Sequence, residues 1–126
     1  MPLVNAERWQ ECWEEDMIVL NSLRSNGDAP EVVRPIDVSF RGSASDLKRL
    51  SACCNNFGFT VLSFDEADEN GNPWLFLVRD QTTDDNTMRE MTTTYLQIED
   101  VFGVRCDGWG CLAHNRKGPI SLENPA

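Results

Sequence analysis

Few of the residues that normally carry out chemistry are placed where they could cooperate in catalysis. The chain has one histidine, His114, near the end of the last predicted strand, where a lone histidine is typical of a surface position. The carboxylates lack the apolar flanks that raise a pKa for acid–base work. No glycine-rich phosphate loop follows a strand. We therefore predict no catalytic residues and no enzymatic activity.

The five cysteines do not have the spacing of a metal site. Cys53 and Cys54 are adjacent on a predicted helix, so their side chains diverge by about 100°. Cys106 and Cys111 are five residues apart, which puts them on opposite faces of a regular strand. We expect buried thiols, no metal and no cofactor. An odd number of cysteines also favours a reducing, cytoplasmic location over a disulfide scaffold.

Two segments have the composition of a binding surface instead. The first is an acidic stretch between two predicted strands, where Asn70-Gly71 predicts the turn of a hairpin. The second is a glycine-flanked tryptophan in the last strand, which indicates a bulge or a close backbone approach. Trp109 either packs in the core or is an exposed aromatic anchor for a partner. The candidate contact residues are Asp65, Glu66, Asp68, Glu69, Asp107, Gly108, Trp109 and Gly110.

The scaffold for these segments begins with an amphipathic helix, predicted within residues 1–26. Its apolar residues recur at helical spacing, and Asn26-Gly27 supplies the stop. Glutamates in its first half suit the positive end of the helix dipole. The apolar stripe consists of Trp9, Trp13, Met17, Leu20 and Leu23.

Residues 34–114 then read strand, helix, strand, strand, helix, strand. This order is that of a ferredoxin-like α+β sandwich, an antiparallel sheet covered on one face by two helices. We predict a single domain over residues 1–114, with the last strand over residues 104–114, and a flexible tail over residues 115–126. The two core helices should begin at Ser43 or Ser45 and at Asp84 or Asp85, and end at Gly58 and Gly103.

The predicted sheet is apolar on both faces, because residues 74–78 are Trp-Leu-Phe-Leu-Val without alternation. Something must therefore cover its second face. The N-terminal helix is the first candidate, and a partner protein or a second copy of the chain is the other.

Charge narrows the class of partner. Asp and Glu number 21 against 11 Lys and Arg, giving a net charge of -10. Such a field repels phosphate backbones, and the arginines are scattered singly, so we expect no direct nucleic-acid contact. No apolar run is long enough to span a membrane, and no secretory leader begins the sequence. The clustered acidic residues either form a solvated surface or steer the protein toward a basic partner.

Four short motifs occur in a fixed order along most of the chain: Leu20-x-x-Leu23-x-x-x-Gly27-Asp28, Arg34-Pro35-Ile36-Asp37, Gly58-Phe59 and Asp107-Gly108-Trp109-Gly110. With these motifs the chain resembles the RraB family, bacterial protein inhibitors of ribonuclease E. The resemblance implies a ferredoxin-like fold, no enzymatic activity and binding to the non-catalytic scaffold region of that nuclease, which alters which RNAs are degraded.

The sequence thus leads us to expect an acidic regulatory protein that binds ribonuclease E and modulates its activity. An immunity-type or antitoxin protein that neutralises a basic toxin would use the same surface charge. Composition does not separate these two hypotheses, and it does not indicate an oligomeric state.

Overall fold

The computed structural model describes residues 4–120, in which three helices and six strands follow one another. Residues 1–3 of the predicted N-terminal helix and residues 121–126 of the predicted tail lie outside this range. The helices are α1 (Ala6–Ser25), α2 (Ala44–Cys53, continued by a 3-10 turn over Cys54–Phe57) and α3 (Asp85–Phe102). The strands are β1 (Arg34–Arg41), β2 (Thr60–Asp65), β3 (Trp74–Gln81), β4 (Arg105–Gly110), β5 (His114–Asn115) and β6 (Gly118–Pro119).

Each helix begins at a side chain that accepts a backbone N–H. Asn5, Ser43 and Asp84 accept from the amides of Arg8, Asp46 and Thr87 at 3.0, 3.1 and 3.1 Å. These bonds satisfy donors that a helix N-terminus otherwise leaves unpaired. The predicted starts of α2 and α3 are confirmed, because the capping residues are local features of the sequence.

The main sheet has four strands in the order β2-β3-β1-β4, and every neighbouring pair is antiparallel. Alternate residues of its two central strands are fully buried on one face, namely Ile36, Val38 and Phe40 of β1 and Leu75 and Leu77 of β3. This face packs against α2 and α3 in one apolar core, to which α3 contributes Met88, Met91 and Ile98. The protein is therefore α+β, with a four-stranded antiparallel sheet and a small hairpin.

Helix α1 does not cover the second face of the sheet, so that prediction is wrong. It lies beside α3, where Trp9 Nε1 donates to Thr93 Oγ1 at 2.9 Å. On the same helix, the carboxylate of Asp16 accepts hydrogen bonds from Thr92 of α3 and from Trp109 of β4. Trp109 pairs across the sheet with Val38, which points to the buried face. All three helices thus lie on the same side of the sheet. The buried stripe of α1 includes the carboxylate of Asp16, and its hydrogen-bond donors are on that side.

The second face of the sheet, called here the open face, is left without a covering layer in the described residues. Trp74, Phe76 and Val78 of β3 lie on it, opposite in orientation to the fully buried Leu75 and Leu77. They are half-buried by their neighbours on the sheet and do not join the core cluster.

The last strand is shorter than predicted, because β4 ends at Gly110 and not near His114. The chain there turns to the connection between α1 and β1. Asp28 accepts the backbone N–H of His114 at 2.8 Å, and Arg34 donates to the carbonyl of Leu112 at 3.4 Å. The β5–β6 hairpin follows, and Ile120 packs against the core. These polar partners remove residues 111–113 from the sheet.

Candidate functional site

The acidic loop between β2 and β3 is organised by Asp68. The carboxylate of Asp68 accepts the backbone N–H groups of Asn70 and Asn72 at 2.8 and 2.9 Å, and Nε1 of Trp74 at 2.8 Å. The bonds from Asn72 and Trp74 lower the pKa of this carboxyl. Asp68 therefore holds the loop in shape, and its charge is already compensated.

The other three acids of the loop, Asp65, Glu66 and Glu69, are exposed. Glu66 lies 3.8 Å from Lys48 in an exposed ion pair. The turn differs from the predicted Asn-Gly corner, since the backbone of Gly71 donates to the carbonyl of Asp68 at 2.9 Å. The corner is thus at Glu69 and Asn70, and Gly71 follows it with a positive φ of 79°. An aspartate at the first position of such a turn favours this register.

The glycine-flanked segment of β4 contains the bulge that the sequence indicated. Ser39 pairs with Gly108 and Phe40 pairs with Cys106, so Asp107 is the extra residue. Gly108 has a φ of 125° and open space where a Cβ would lie. Backbone conformation, and not crowding, explains this glycine.

Arg41 joins the two acidic segments at one end of the sheet. Its guanidinium carbon lies 5.4 Å from the ring centre of Trp74, and its Nη2 lies 3.2 Å from Oδ1 of Asp107. Trp74 in turn donates to Asp68. Residues from three distant parts of the sequence thereby form one continuous surface, which we call the acidic end. It consists of Arg41, Asp65, Glu66, Asp68, Glu69, Trp74 and Asp107.

Trp109 is directed away from the acidic end, towards the helices. It is half-buried against the core, and its Nε1 donates to Oδ1 of Asp16 at 2.9 Å. These contacts therefore favour the interpretation that Trp109 packs in the core over the interpretation that it is an exposed anchor. A direct contact of Trp109, Gly108 or Gly110 with a partner stays a prediction.

Asp16 is the polar residue that sequence reasoning missed. Only 5% of it is exposed, and it also accepts from Thr92 and Tyr95 at 2.6 and 3.0 Å. Desolvation raises the pKa of Asp16, and the hydrogen bonds from Thr92, Trp109 and Tyr95 offset this only in part. The sequence indicated its burial only through its position on the apolar stripe, three residues after Trp13 and four before Leu20.

Four of the five thiols have raised pKa values. Burial raises the pKa of Cys106 to about 12 and also raises the pKa values of Cys12, Cys54 and Cys111. A thiol with a raised pKa is a weak nucleophile and a weak metal ligand at neutral pH. Within residues 4–120, no three His, Cys, Asp or Glu side chains are grouped so as to hold a metal ion. In the same range, no helix has both the length and the apolar character needed to cross a membrane.

Comparison with known families identifies a match for most of the chain. A family model described as RraB, regulator of ribonuclease activity B, matches residues 13–111. The matched part includes all four strands of the main sheet, α2, α3, the acidic loop and the glycine-flanked segment. No curated protein was found to be similar to the chain.

Proposed function

The chain belongs to the RraB family of regulators of ribonuclease activity, and from this we propose that it is a non-enzymatic protein that binds ribonuclease E and lowers its cleavage of some RNAs. The family match across the whole main sheet is the observation that carries the proposal. The proposed contact is with the non-catalytic scaffold region of the nuclease, and the proposed location is the cytoplasm.

The acidic end supports a protein partner of opposite charge. Its exposed carboxylates, Asp65, Glu66 and Glu69, lie on a loop whose backbone is already held by Asp68. The loop therefore needs little further ordering when a partner binds. Charges at the edge of an interface increase the association rate more than they increase affinity. The net charge of -10 acts in the same direction for any basic segment of the nuclease.

The proposal includes a ferredoxin-like assignment for the βαββαβ core. The order β2-β3-β1-β4 supports it, since β3 lies between the strands joined by α2, and β1 lies between those joined by α3. Two interleaved split β-α-β units produce this order.

The test compares two forms of the nuclease. Cleavage of a ribonuclease E substrate RNA is measured with the full-length enzyme and with the enzyme lacking its scaffold region, each over a range of concentrations of this protein. We expect inhibition of the full-length enzyme and none of the shortened one, because the proposed contact lies outside the catalytic region.

One control and two contrary outcomes make the result specific. Ribonuclease A in place of ribonuclease E excludes sequestration of the RNA, which would inhibit both enzymes. Equal inhibition of the two forms of ribonuclease E would refute the scaffold contact. Cleavage unchanged in both forms, together with no binding to either, would refute the proposed function.

A further inference from the structure

The open face of the sheet combines aromatic rings with carboxylates. Trp74 and Phe76 stack on each other with ring centres 5.9 Å apart and planes 9° from parallel. Cross-strand partners share a face, so Asp65 lies beside Trp74, and Asp37 lies beside Val78. The aromatic pair is therefore bordered by acids on β2 and on β1.

This face already accommodates one guanidinium. Arg41 lies over the ring of Trp74 at 5.4 Å and pairs with Asp107 at 3.2 Å. A tryptophan ring attracts cations through its quadrupole, and a planar guanidinium also stacks on it. The intramolecular contact shows the chemistry that the aromatic pair favours, namely an arginine held between a ring and a carboxylate.

The face continues into a groove at its other end. The groove has a volume of about 590 Å³ and is lined by Pro35, Asp37, Gly110, Leu112 and His114, among others. From the row of Arg41 to the row of Pro35, β1 advances six residues, or about 20 Å. An extended segment of about eight residues would span the acidic end, the aromatic pair and the groove.

We propose that the open face, centred on Trp74 and Phe76, binds an extended arginine-containing segment of the partner protein. This rests on the proposed function in that the partner is a protein with a basic segment. In such a segment, side chains at alternate positions point to the sheet, so arginines two residues apart would reach the rings and the neighbouring carboxylates.

Charge favours this occupant over the alternatives. The face has the carboxylates Asp37, Asp65, Asp80 and Asp107 against the guanidinium groups of Arg41 and Arg105. A single-stranded RNA would stack on the rings, but its phosphates would meet those acids. A second copy of the chain would set the same carboxylates against each other, and each copy has a net charge of -10.

The test uses the full chain labelled with ¹⁵N and three synthetic peptides of about eight residues. They alternate serine with arginine, with lysine or with citrulline, which has the shape of arginine without its charge. We expect the arginine peptide to shift the amide resonances of residues 37–41 and 74–78. The lysine peptide should bind about threefold to tenfold more weakly and the citrulline peptide more weakly still.

Variants with opposite expected effects sharpen the test. Phe76→Leu keeps the apolar volume but removes the ring, and it should weaken the arginine peptide about threefold to tenfold. Arg41→Gln frees Trp74 and Asp107, and it should tighten the same peptide. The matched control is Ile18→Ala, which alters an exposed apolar residue on α1, away from the sheet; its affinity should equal that of the wild type. Thermal melting of each variant excludes unfolding as the cause.

Several results would overturn the proposal. They are resonance shifts confined to the helices, equal affinity of Phe76→Leu and Ile18→Ala, or weaker binding by Arg41→Gln. Preferential binding of oligouridine at residues 74–78, lost in Arg41→Gln, would assign the face to RNA instead. A concentration-dependent dimer with these residues protected from hydrogen exchange would assign it to a second copy.

Binding to a purified scaffold fragment of ribonuclease E separates this proposal from the proposed function. If the wild type and Phe76→Leu bind the fragment equally, the open face is the wrong site and the function stands. If neither protein binds the fragment while the arginine peptide still binds at Trp74 and Phe76, the nuclease is the wrong partner. The open face then remains a binding site for an arginine-containing segment.

Discussion

At the scale of single residues, Asp16 decides how the first helix is attached. One carboxylate accepts hydrogen bonds from Thr92 and Tyr95 of α3 and from Trp109 of β4. A buried carboxylate is costly unless it has such donors. The donors in turn would be left unpaired without it, so the cluster is stable only when complete.

Asp16→Ala should lower the free energy of unfolding by about 2 kcal/mol, because buried donors lose their acceptor. Since burial raises the pKa of Asp16, its contribution is greatest below the unfolded pKa of about 4 and declines as the pH rises through the folded value. The difference between wild type and variant in urea denaturation should therefore shrink as the pH is raised above the unfolded pKa of Asp16. Glu15→Ala, an exposed neighbour on the same helix, should change stability by less than about 0.5 kcal/mol. An equal loss in both variants would show that helix propensity, not the cluster, is responsible.

Trp109 can be tested by separating its ring from its N–H. Trp109→Phe keeps most of the packing and removes the bond to Asp16, so it should cost about 1 kcal/mol of stability. Trp109→Ala should cost more, about 2 kcal/mol or above, because packing against the core is also lost. Thermal melts and partner-binding rates are measured together. Weaker binding by Trp109→Ala at unchanged stability would instead make this residue a partner anchor.

At the scale of elements, Asp28 connects three parts of the chain that are distant in sequence. Its carboxylate lies 2.6 Å from Nη1 of Arg34 at the start of β1 and accepts from Thr83 Oγ1 at 2.7 Å, before α3. It also accepts the backbone N–H of His114, which begins the small hairpin. The side chains of both Asp28 and Arg34 are almost completely buried. The buried Asp28–Arg34 pair thus lies where three connections of the fold meet.

Asp28→Asn should lower stability by about 3 kcal/mol at neutral pH, since it leaves Arg34 buried without its counter-charge. Desolvation raises the pKa of Asp28, but the bonds from Arg34, His114 and Thr83 outweigh it and keep that pKa below the ordinary value. A carboxyl with a lowered pKa contributes stability above its unfolded pKa of about 4, and the contribution is lost as the pH falls through the folded value. The stability difference between wild type and Asp28→Asn should therefore shrink on acidification, the opposite direction to Asp16.

Hydrogen exchange gives the second readout of this variant. The amides of Ala29 and His114 should exchange faster in Asp28→Asn, because the first donates to the carbonyl of His114 and the second to Asp28. Glu31→Gln is the matched control, since Glu31 forms an exposed ion pair with Arg116. Unchanged exchange at both amides would mean that the hairpin is held by Ile120 and its apolar contacts alone.

At the scale of the whole molecule, the association rate with the partner can depend on the net charge of the protein or on the charges of the acidic end. If the acidic end steers the partner, combined Asp65→Asn, Glu66→Gln and Glu69→Gln should lower the association rate at low salt and leave dissociation nearly unchanged. The effect should fade as the screening length shortens to about 8 Å at physiological ionic strength. Asp68 is kept, because neutralising it would also release the loop.

The control for that experiment removes the same charge elsewhere. Glu7, Glu11 and Glu14 are exposed on α1, and changing all three to Gln also removes three negative charges. Stopped-flow association with the scaffold fragment of ribonuclease E should be slower only for the loop variant. Equal slowing in both would assign steering to the overall charge, and unchanged rates in both would exclude electrostatic steering.

The sequence by itself determined the three helices and the main strands, apart from the end of β4, because their signals are local. Asn5, Ser43 and Asp84 bind amides three residues away, and Gly58 and Gly103 follow the helices with positive φ. The alternation of the buried Ile36, Val38 and Phe40 with less buried neighbours along β1 is likewise a local pattern. The family followed from short motifs in a fixed order, and it agrees with the family-model match.

Only the tertiary structure decided which surfaces meet. An amphipathic stripe indicates that α1 is buried, but not against which layer. The contacts that place it join distant residues, such as Asp16 and Thr92 or Asp16 and Trp109. This placement leaves Trp74 and Phe76 on the open face, and Arg41 unites them with Asp107. Such contacts depend on strand order and register, which are set by the packing of the whole chain. Patterns among neighbouring residues in the sequence do not reveal them.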